Sequence, residues 1–270
     1  MVEAEIGGRL FRWGERVYVM GIVNVTPDSF SGDGLAGDPA AAVERGLRHA
    51  AEGADILDVG GESTRPGHTP VPEAEELRRV LPVVEALAAR SGVPVSIDTT
   101  KPEVARRALD TGASIVNDVW GLKRAPQLAE LAAQRGAALV AMHNQAGSAY
   151  AGDLVAEVKA SLERSLAQAL EAGLPRGRVI LDPGLGFGKT GRQNLVLLRR
   201  LAELKELGQP LLVGSSRKSF IGRILDLPVD QRLEGTAATV AAAVLRGADL
   251  VRVHDVREMA RVVRVAEQLR

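Results

Sequence analysis

The sequence predicts an α/β chain folded as a single domain over residues 1–270, a (β/α)8 or TIM barrel with a short N-terminal hairpin. Three observations carry that expectation. Eight short apolar, β-branched runs recur, each followed by a polar or glycine-rich loop and then by an amphipathic, alanine- and leucine-rich segment, the pattern of repeated βα units. The length, 270 residues, matches the ~250 residues such a barrel needs. Polar residues stand at the C-terminal end of nearly every run: Asn24, Asp98, Asn117, His143, Asp182, Ser216 and the pair Arg252/His254. A closed barrel gathers all of these on one rim around one pocket, whereas the competing doubly wound open sheet gathers only those beside its switch point.

Taken in order, residues 4–16, with Gly7-Gly8 and Trp13-Gly14, read as a hairpin placed to plug the bottom of the barrel. Strands are predicted over 17–25, 55–61, 93–99, 114–119, 138–143, 179–182, 211–216 and 250–255. Helical patterns lie between them, near 39–53, 73–90, 102–111, 126–135, 152–172, 193–207 and 232–246, with a last one near 256–269. Asp38-Pro39 and Lys101-Pro102 are helix starts, since proline in the first turn gives up no intrahelical hydrogen bond. Glycine follows the helix at Gly53, Gly112, Gly136 and Gly247, each just ahead of the next strand. No linker, low-complexity tract or 20–50-residue repeat interrupts the alternation.

Lysine plus arginine balance aspartate plus glutamate at 34 each. No net field therefore draws the molecule to nucleic acid or an anionic membrane, and any anionic ligand must be held by local charges. The absence of cysteine excludes disulfides and thiolate metal sites. With no apolar leader or bilayer-length run, the chain is expected to be cytoplasmic.

The stretch DPGLGFGKT, 182–190, resembles a phosphate cradle, but a GxxxxGK[ST] loop ending at Thr190 requires glycine where the chain has Pro183. A GxGxxG match at Gly186, Gly188 and Gly191 lacks the acid that a dinucleotide site needs at the end of the next strand. Two other loops offer ligand groups. NVTPDSFSGDG, 24–34, has the small polar composition of a lid or of an ordinary turn. GGESTRPGHTP, 60–70, sets Arg65, hydroxyls and Glu62 on a backbone suited to an oxyanion, or to a Glu62–Arg65 pair that ties the loop down.

Asp98, Asn117 and Asp182 place two carboxylates and an amide where they can read the edge of an amino-pyrimidinone ring. Paired carboxylates also admit glycoside hydrolysis, and Asp98, His143 and Asp182 admit a metal site without a recognised ligand spacing. Arg252 and His254, two apart on one strand, face the barrel mouth together. Phosphate sites form near strands seven and eight of this fold, and charge-assisted hydrogen bonds there contribute about 1.5–3 kcal/mol each.

In this order the loops resemble the dihydropteroate synthase family of the folate pathway. The segments are MGIVNVTPDSFSGDG (20–34), LDVGGESTRPG (57–67), SIDTTKP (96–102), IVNDV (115–119), MH (142–143), DPGLGFGK (182–189), SSRKSFIG (215–222) and RVHDV (252–256). The resemblance implies a homodimeric barrel that joins a 6-hydroxymethyl-7,8-dihydropterin diphosphate to 4-aminobenzoate, releasing 7,8-dihydropteroate and diphosphate. It implies a pterin held by Asp98, Asn117, Asp182 and Lys218, and a diphosphate held by Asn24, Thr64, Arg252 and His254. Mg²⁺ would be held by Asn24, 4-aminobenzoate would sit near Thr64, Pro66, Phe187, Ser216 and Lys218, and Arg65 would be a further substrate-binding residue. Catalytic roles fall to Asp98, Asp182, Lys218, Arg252 and His254, in an SN1-like substitution, and Lys189 receives none. One departure stands out: the family's first loop continues DSFSDGG, and here DSFSGDG moves the acid to Asp33. Two rivals bind a pterin without this chemistry. A pterin-dependent methyltransferase needs neither a diphosphate site nor the NVTPDSFS loop, and a non-catalytic pterin-binding protein needs no complete set of Asn24, Lys218, Arg252 and His254.

Overall fold

Eight parallel strands close into a barrel in the computed structural model, which describes residues 2–26, 38–63 and 70–270. A two-stranded antiparallel hairpin, β1 (Val2–Ile6) and β2 (Arg9–Trp13), precedes it. The barrel strands are β3 (Tyr18–Asn24), β4 (Ile56–Gly60), β5 (Val95–Asp98), β6 (Ile115–Asp118), β7 (Ala138–Met142), β8 (Val179–Asp182), β9 (Leu212–Val213) and β10 (Leu250–Val253). They neighbour one another in the order β8-β7-β6-β5-β4-β3-β10-β9. A parallel bridge between Leu181 and Leu211, with Leu181 N donating to Pro210 O at 2.9 Å, joins the two ends. The open-sheet alternative is thereby excluded.

Strand alternation sorts the side chains into two cores. Val23, Leu57, Val59, Ile97, Val116, Leu139, Leu181, Val213 and Val251 point outward and pack with the helices. Their neighbours Met20, Ile56, Ile115, Val140, Ile180, Leu212 and Leu250 point inward and fill the lower barrel together with Phe11, Trp13 and Tyr18. The hairpin thus plugs the bottom. Its aromatic rings stack with centroids 4.8–5.3 Å apart, and Trp13 Nε1 donates to Gly177 O at 3.0 Å.

The helices are α1 (Pro39–Glu52), α2 (Glu73–Arg90), α3 (Pro102–Thr111), α4 (Gln127–Gln134), α5 (Leu154–Glu171), α6 (Gly191–Arg199), α7 (Ser219–Leu225), α8 (Leu233–Leu245) and α9 (Val256–Gln268). Asp38 caps α1 by accepting from Ala40 N, and Asp153 caps α5 by accepting from Ala156 N. Thr190 and Gln193 form a reciprocal capping box at the start of α6. Two differences from the sequence pattern have local causes. The helix expected over 193–207 stops at Arg199 and continues as a 3-10 turn, Leu201–Leu207, because the buried leucines 201, 204 and 207 recur every three residues, the period of that tighter helix. The strand expected over 211–216 is regular only at Leu212–Val213, with Leu211 in the closing bridge, and the seven-residue α7 follows where the sequence reads as loop.

Candidate active site

The inward alternation that fills the lower barrel with apolar groups places polar ones two residues further along the same strands. Met20 and Ile22 are followed by Asn24, Ile56 by Asp58, Ser96 by Asp98, Ile115 by Asn117, Ile180 by Asp182, and Leu250 by Arg252. Asn24, Asp98, Asn117, Asp182 and Arg252 line a cavity of about 340 Å³ at the C-terminal mouth, and Asp58 lies beneath it. All of the strand-end polar residues predicted from sequence face it except His143, which is buried away from it beside Lys189. Phe187 and Gly186 stand between this cavity and an adjoining one of about 550 Å³.

Arg252 organises the floor. Its Nε donates to Asp58 Oδ2 at 2.6 Å and its Nη2 to Asp98 Oδ2 at 2.9 Å, while Asn117 Nδ2 donates to Asp58 Oδ2 at 3.0 Å. Two carboxylates against one guanidinium leave a surplus negative charge in a buried site. Burial, opposed by Arg252 and reinforced by Asp58, pushes the Asp98 carboxyl up to about 7. The second oxygen of Asp98 is buried and has no hydrogen-bond partner among the described residues. An unpaired buried acceptor costs about 1–3 kcal/mol, which a ligand N–H would recover.

Asp182 is also pushed up, to about 6, by burial, against the opposing Gly184 amide and the charges of Lys218, Lys189 and Arg252. Its Oδ1 accepts from Gly184 N at 2.7 Å. Across the mouth, Ser216 Oγ lies 2.9 Å from His254 Nδ1 and accepts from His254 N at 3.2 Å, which orients the imidazole. Lys218 Nζ sits 4.1 Å over the centre of the Phe187 ring.

The loop that follows β8 explains its glycines. Gly184 and Gly186 have left-handed φ of +71° and +83°. A Cβ on Gly184 would lie 1.9 Å from His143 O, and one on Gly186 would lie 2.9 Å from Lys218 Cδ. Glycine here serves close backbone approach, not a phosphate.

Whole-chain comparisons agree with this geometry. The sequence model described as pterin binding enzyme matches residues 20–254. A dihydropteroate synthase of Synechocystis sp. is 46% identical over 98% of this chain and 94% of its own length. The chain belongs to the dihydropteroate synthase family of pterin binding enzymes. Among solved structures, the Clostridium difficile dihydropteroate synthase determined in the presence of pteroic acid has TM-score 0.91 and 46% identity, covering 96% of this chain and 98% of the other. The Xanthomonas albilineans dihydropteroate synthase with 4-aminobenzoic acid has TM-score 0.91 and 44% identity, covering 99% and 98%. Like its relatives named dihydropteroate synthase, this family member is a transferase that forms a carbon–nitrogen bond.

For this dihydropteroate synthase fold, the structure brings Asn24, Asp98, Asn117, Asp182, Phe187, Ser216, Lys218, Arg252 and His254 to one cavity. Thr64, Arg65 and Pro66, and the displaced acid Asp33, lie outside the described residues. Glu62 accepts a hydrogen bond from Lys101, which also donates to Val71 O and Glu76. Among the described residues no group of three or more His, Cys, Asp or Glu is arranged to hold a metal, which removes the Asp98–His143–Asp182 metal alternative. The sequence reading did not single out Asp58, the fully buried partner of Arg252, or Met142 in the cavity wall.

Proposed function

We propose that the cavity binds 6-hydroxymethyl-7,8-dihydropterin diphosphate with the pterin edge on Asp98, Asn117 and Asp182, and condenses it with 4-aminobenzoate to give 7,8-dihydropteroate and diphosphate. The observation that carries the assignment is the unpaired buried oxygen of Asp98 beside Asn117 and Asp182. Together they form a row of acceptor, amide and acceptor that matches the donor-rich edge of an amino-pyrimidinone. Lys218 closes the row, and its cation over Phe187 supplies an aromatic wall for the 4-aminobenzoate ring between Phe187 and Ser216. Thr64, Arg65 and Pro66 would complete that wall and the diphosphate site from the second loop.

Arg252 spends Nε and Nη2 on Asp58 and Asp98, and its Nη1 makes no hydrogen bond among the described residues. Nη1 and His254 are the donors we assign to the diphosphate. Asn24 stands at the end of β3, faces the cavity, and its side chain has no hydrogen bond among the described residues. A single neutral oxygen of this kind fits Mg²⁺, which keeps waters and substrate phosphates as its other ligands. Bound there with Asn24, the ion would neutralise charge on the diphosphate.

As the carbon–oxygen bond to diphosphate breaks, Arg252 and His254 stabilise the departing charge, and Asp182 and Asp98 stabilise the cationic pterin methylene. The 4-aminobenzoate nitrogen then bonds to that carbon and loses a proton. We further assign the enzyme to the cytoplasm and to a homodimer. The dimer reading draws on apolar side chains exposed on the last three helices, Ile224 at 60%, Leu245 at 44% and Val265 at 64%. Incubation with the pterin diphosphate, Mg²⁺ and labelled 4-aminobenzoate is expected to yield labelled dihydropteroate. Binding of both substrates without product would overturn the proposal. Scrambling of the bridging oxygen in the diphosphate substrate without 4-aminobenzoate is the expected mark of the cationic step.

A further inference from the structure

Lys189 is the residue whose position in DPGLGFGKT suggests phosphate and whose side chain meets none of the groups assigned above to the diphosphate. It is buried, 9% exposed. Its Nζ lies 2.9 Å from His143 Nδ1, 3.0 Å from Gly184 O and 2.9 Å from Phe187 O. Three acceptors meet the three N–H donors of one ammonium. We infer that Lys189 is a positioning residue that fixes Phe187, and through it the 4-aminobenzoate wall, by holding the loop after β8 from inside.

The two neighbours of that loop depend on Lys189 unequally. Phe187 has two backbone anchors, its carbonyl on Lys189 and its amide on Gly184 O at 3.1 Å, and the Gly184 carbonyl is itself a Lys189 acceptor. Both anchors therefore run through the one ammonium. Asp182, by contrast, is held by strand pairing with Met142 and by His143 N donating to its carbonyl at 2.8 Å. Loss of Lys189 should release Phe187 while leaving Asp182 in place. Burial, reinforced by Lys123 and Lys218 and opposed by Asp182, draws the ammonium down to about 7. A cation kept in such a place against its solvation is held there by its three acceptors. His143 cannot take the charge in its stead, since burial and then Lys189 lower it to about 3.

The inference rests on the assignment of Phe187 to 4-aminobenzoate, so the test separates the two. In Lys189→Met, which keeps the length and removes every donor, the KM for 4-aminobenzoate is expected to rise about tenfold, while the dissociation constant for the pterin diphosphate stays within about threefold. The melting temperature should fall, since three acceptors lose their donor, and confinement of the KM change to 4-aminobenzoate separates positioning from that general loss. His143→Phe keeps a ring in the site and removes one acceptor, and it provides the same comparison if the methionine variant does not fold; a smaller rise, again confined to 4-aminobenzoate, is expected. An unchanged KM, or equal losses for both substrates, would overturn the positioning role while leaving the synthase reading intact. Wild-type protein that binds both substrates and forms no dihydropteroate would overturn that reading and this inference with it.

Discussion

The lower and upper halves of the barrel interior are built from the same strands, two residues apart in register, and they do opposite things. Below, Met20, Ile56, Ile115, Ile180 and Leu250 meet the Phe11–Trp13–Tyr18 cluster and are fully buried. Above, Asn24, Asp58, Asn117, Asp182 and Arg252 occupy the corresponding inward positions around an open cavity. One alternation thus places an apolar layer that holds the barrel together directly beneath a polar layer that costs stability to maintain. The difference shows why stability and activity should be separable here by mutation: substitutions in the lower layer change folding, and those in the upper layer change chemistry.

Arg252→Met is expected to have the largest effect, because Arg252 belongs to both accounts. It is assigned to the diphosphate, and it neutralises Asp58, whose carboxylate is fully buried. Removing one partner of a buried ion pair costs about 3–5 kcal/mol, and losing a preorganised donor to the leaving group should lower kcat about 100-fold or more. Denaturant titration and steady-state kinetics check the two halves separately. A variant with full stability would show that the buried Asp58 does not depend on Arg252, and the link between stability and activity at this residue would then be broken.

Trp13→Ala comes next and tests the lower layer alone. The ring is 5% exposed, stacks on Phe11 and donates to Gly177 O. Truncating such a residue typically costs about 3–5 kcal/mol. Well below the melting temperature, kcat and both KM values should match the wild type. A change in either KM would mean that the hairpin sets the geometry of the mouth, and the division between the halves would fail.

This division decides what could be read from sequence. The eight βα units and the polar strand ends are legible because each obeys a local period: two in the strands, about 3.6 in the helices. Asp98, Asn117, Asp182 and Arg252 stand at strand ends, where a polar residue interrupts an apolar run. Asp58 escapes notice because it lies mid-strand between Leu57 and Val59, and its partner Arg252 is 194 residues away along the chain. Lys189 is misleading for a similar reason. Its glycine-rich setting resembles an anion loop, yet two of its acceptors are carbonyls of that same loop and the third, His143, is brought to it by the pairing of β7 beside β8. The helix α7 is too short, at seven residues, for periodicity to reveal it.

The smallest expected effect is a gain, and its sign follows from Asp98. With its carboxyl raised from 3.8 to about 7, the folded protein holds a proton between those values that the unfolded chain has released. Stability is therefore lost as pH rises from 3.8 towards 7 and is not recovered above it. Asp98→Asn removes the ionisation while keeping an oxygen that can accept from Arg252. The variant should be more stable than wild type by a few kcal/mol at about pH 8, the opposing charge of Arg252 being already contained in the raised carboxyl. The gain should vanish at about pH 3.5, where both states of the wild type are protonated. Activity should fall about 100-fold, since a neutral amide cannot stabilise a cationic pterin in the same way. Chemical unfolding at the two pH values measures the gain. An equal difference at both would mean that folding leaves the Asp98 carboxyl unshifted, its burial fully offset by Arg252, and the upper layer would then cost the fold far less than its surplus of buried carboxylates implies.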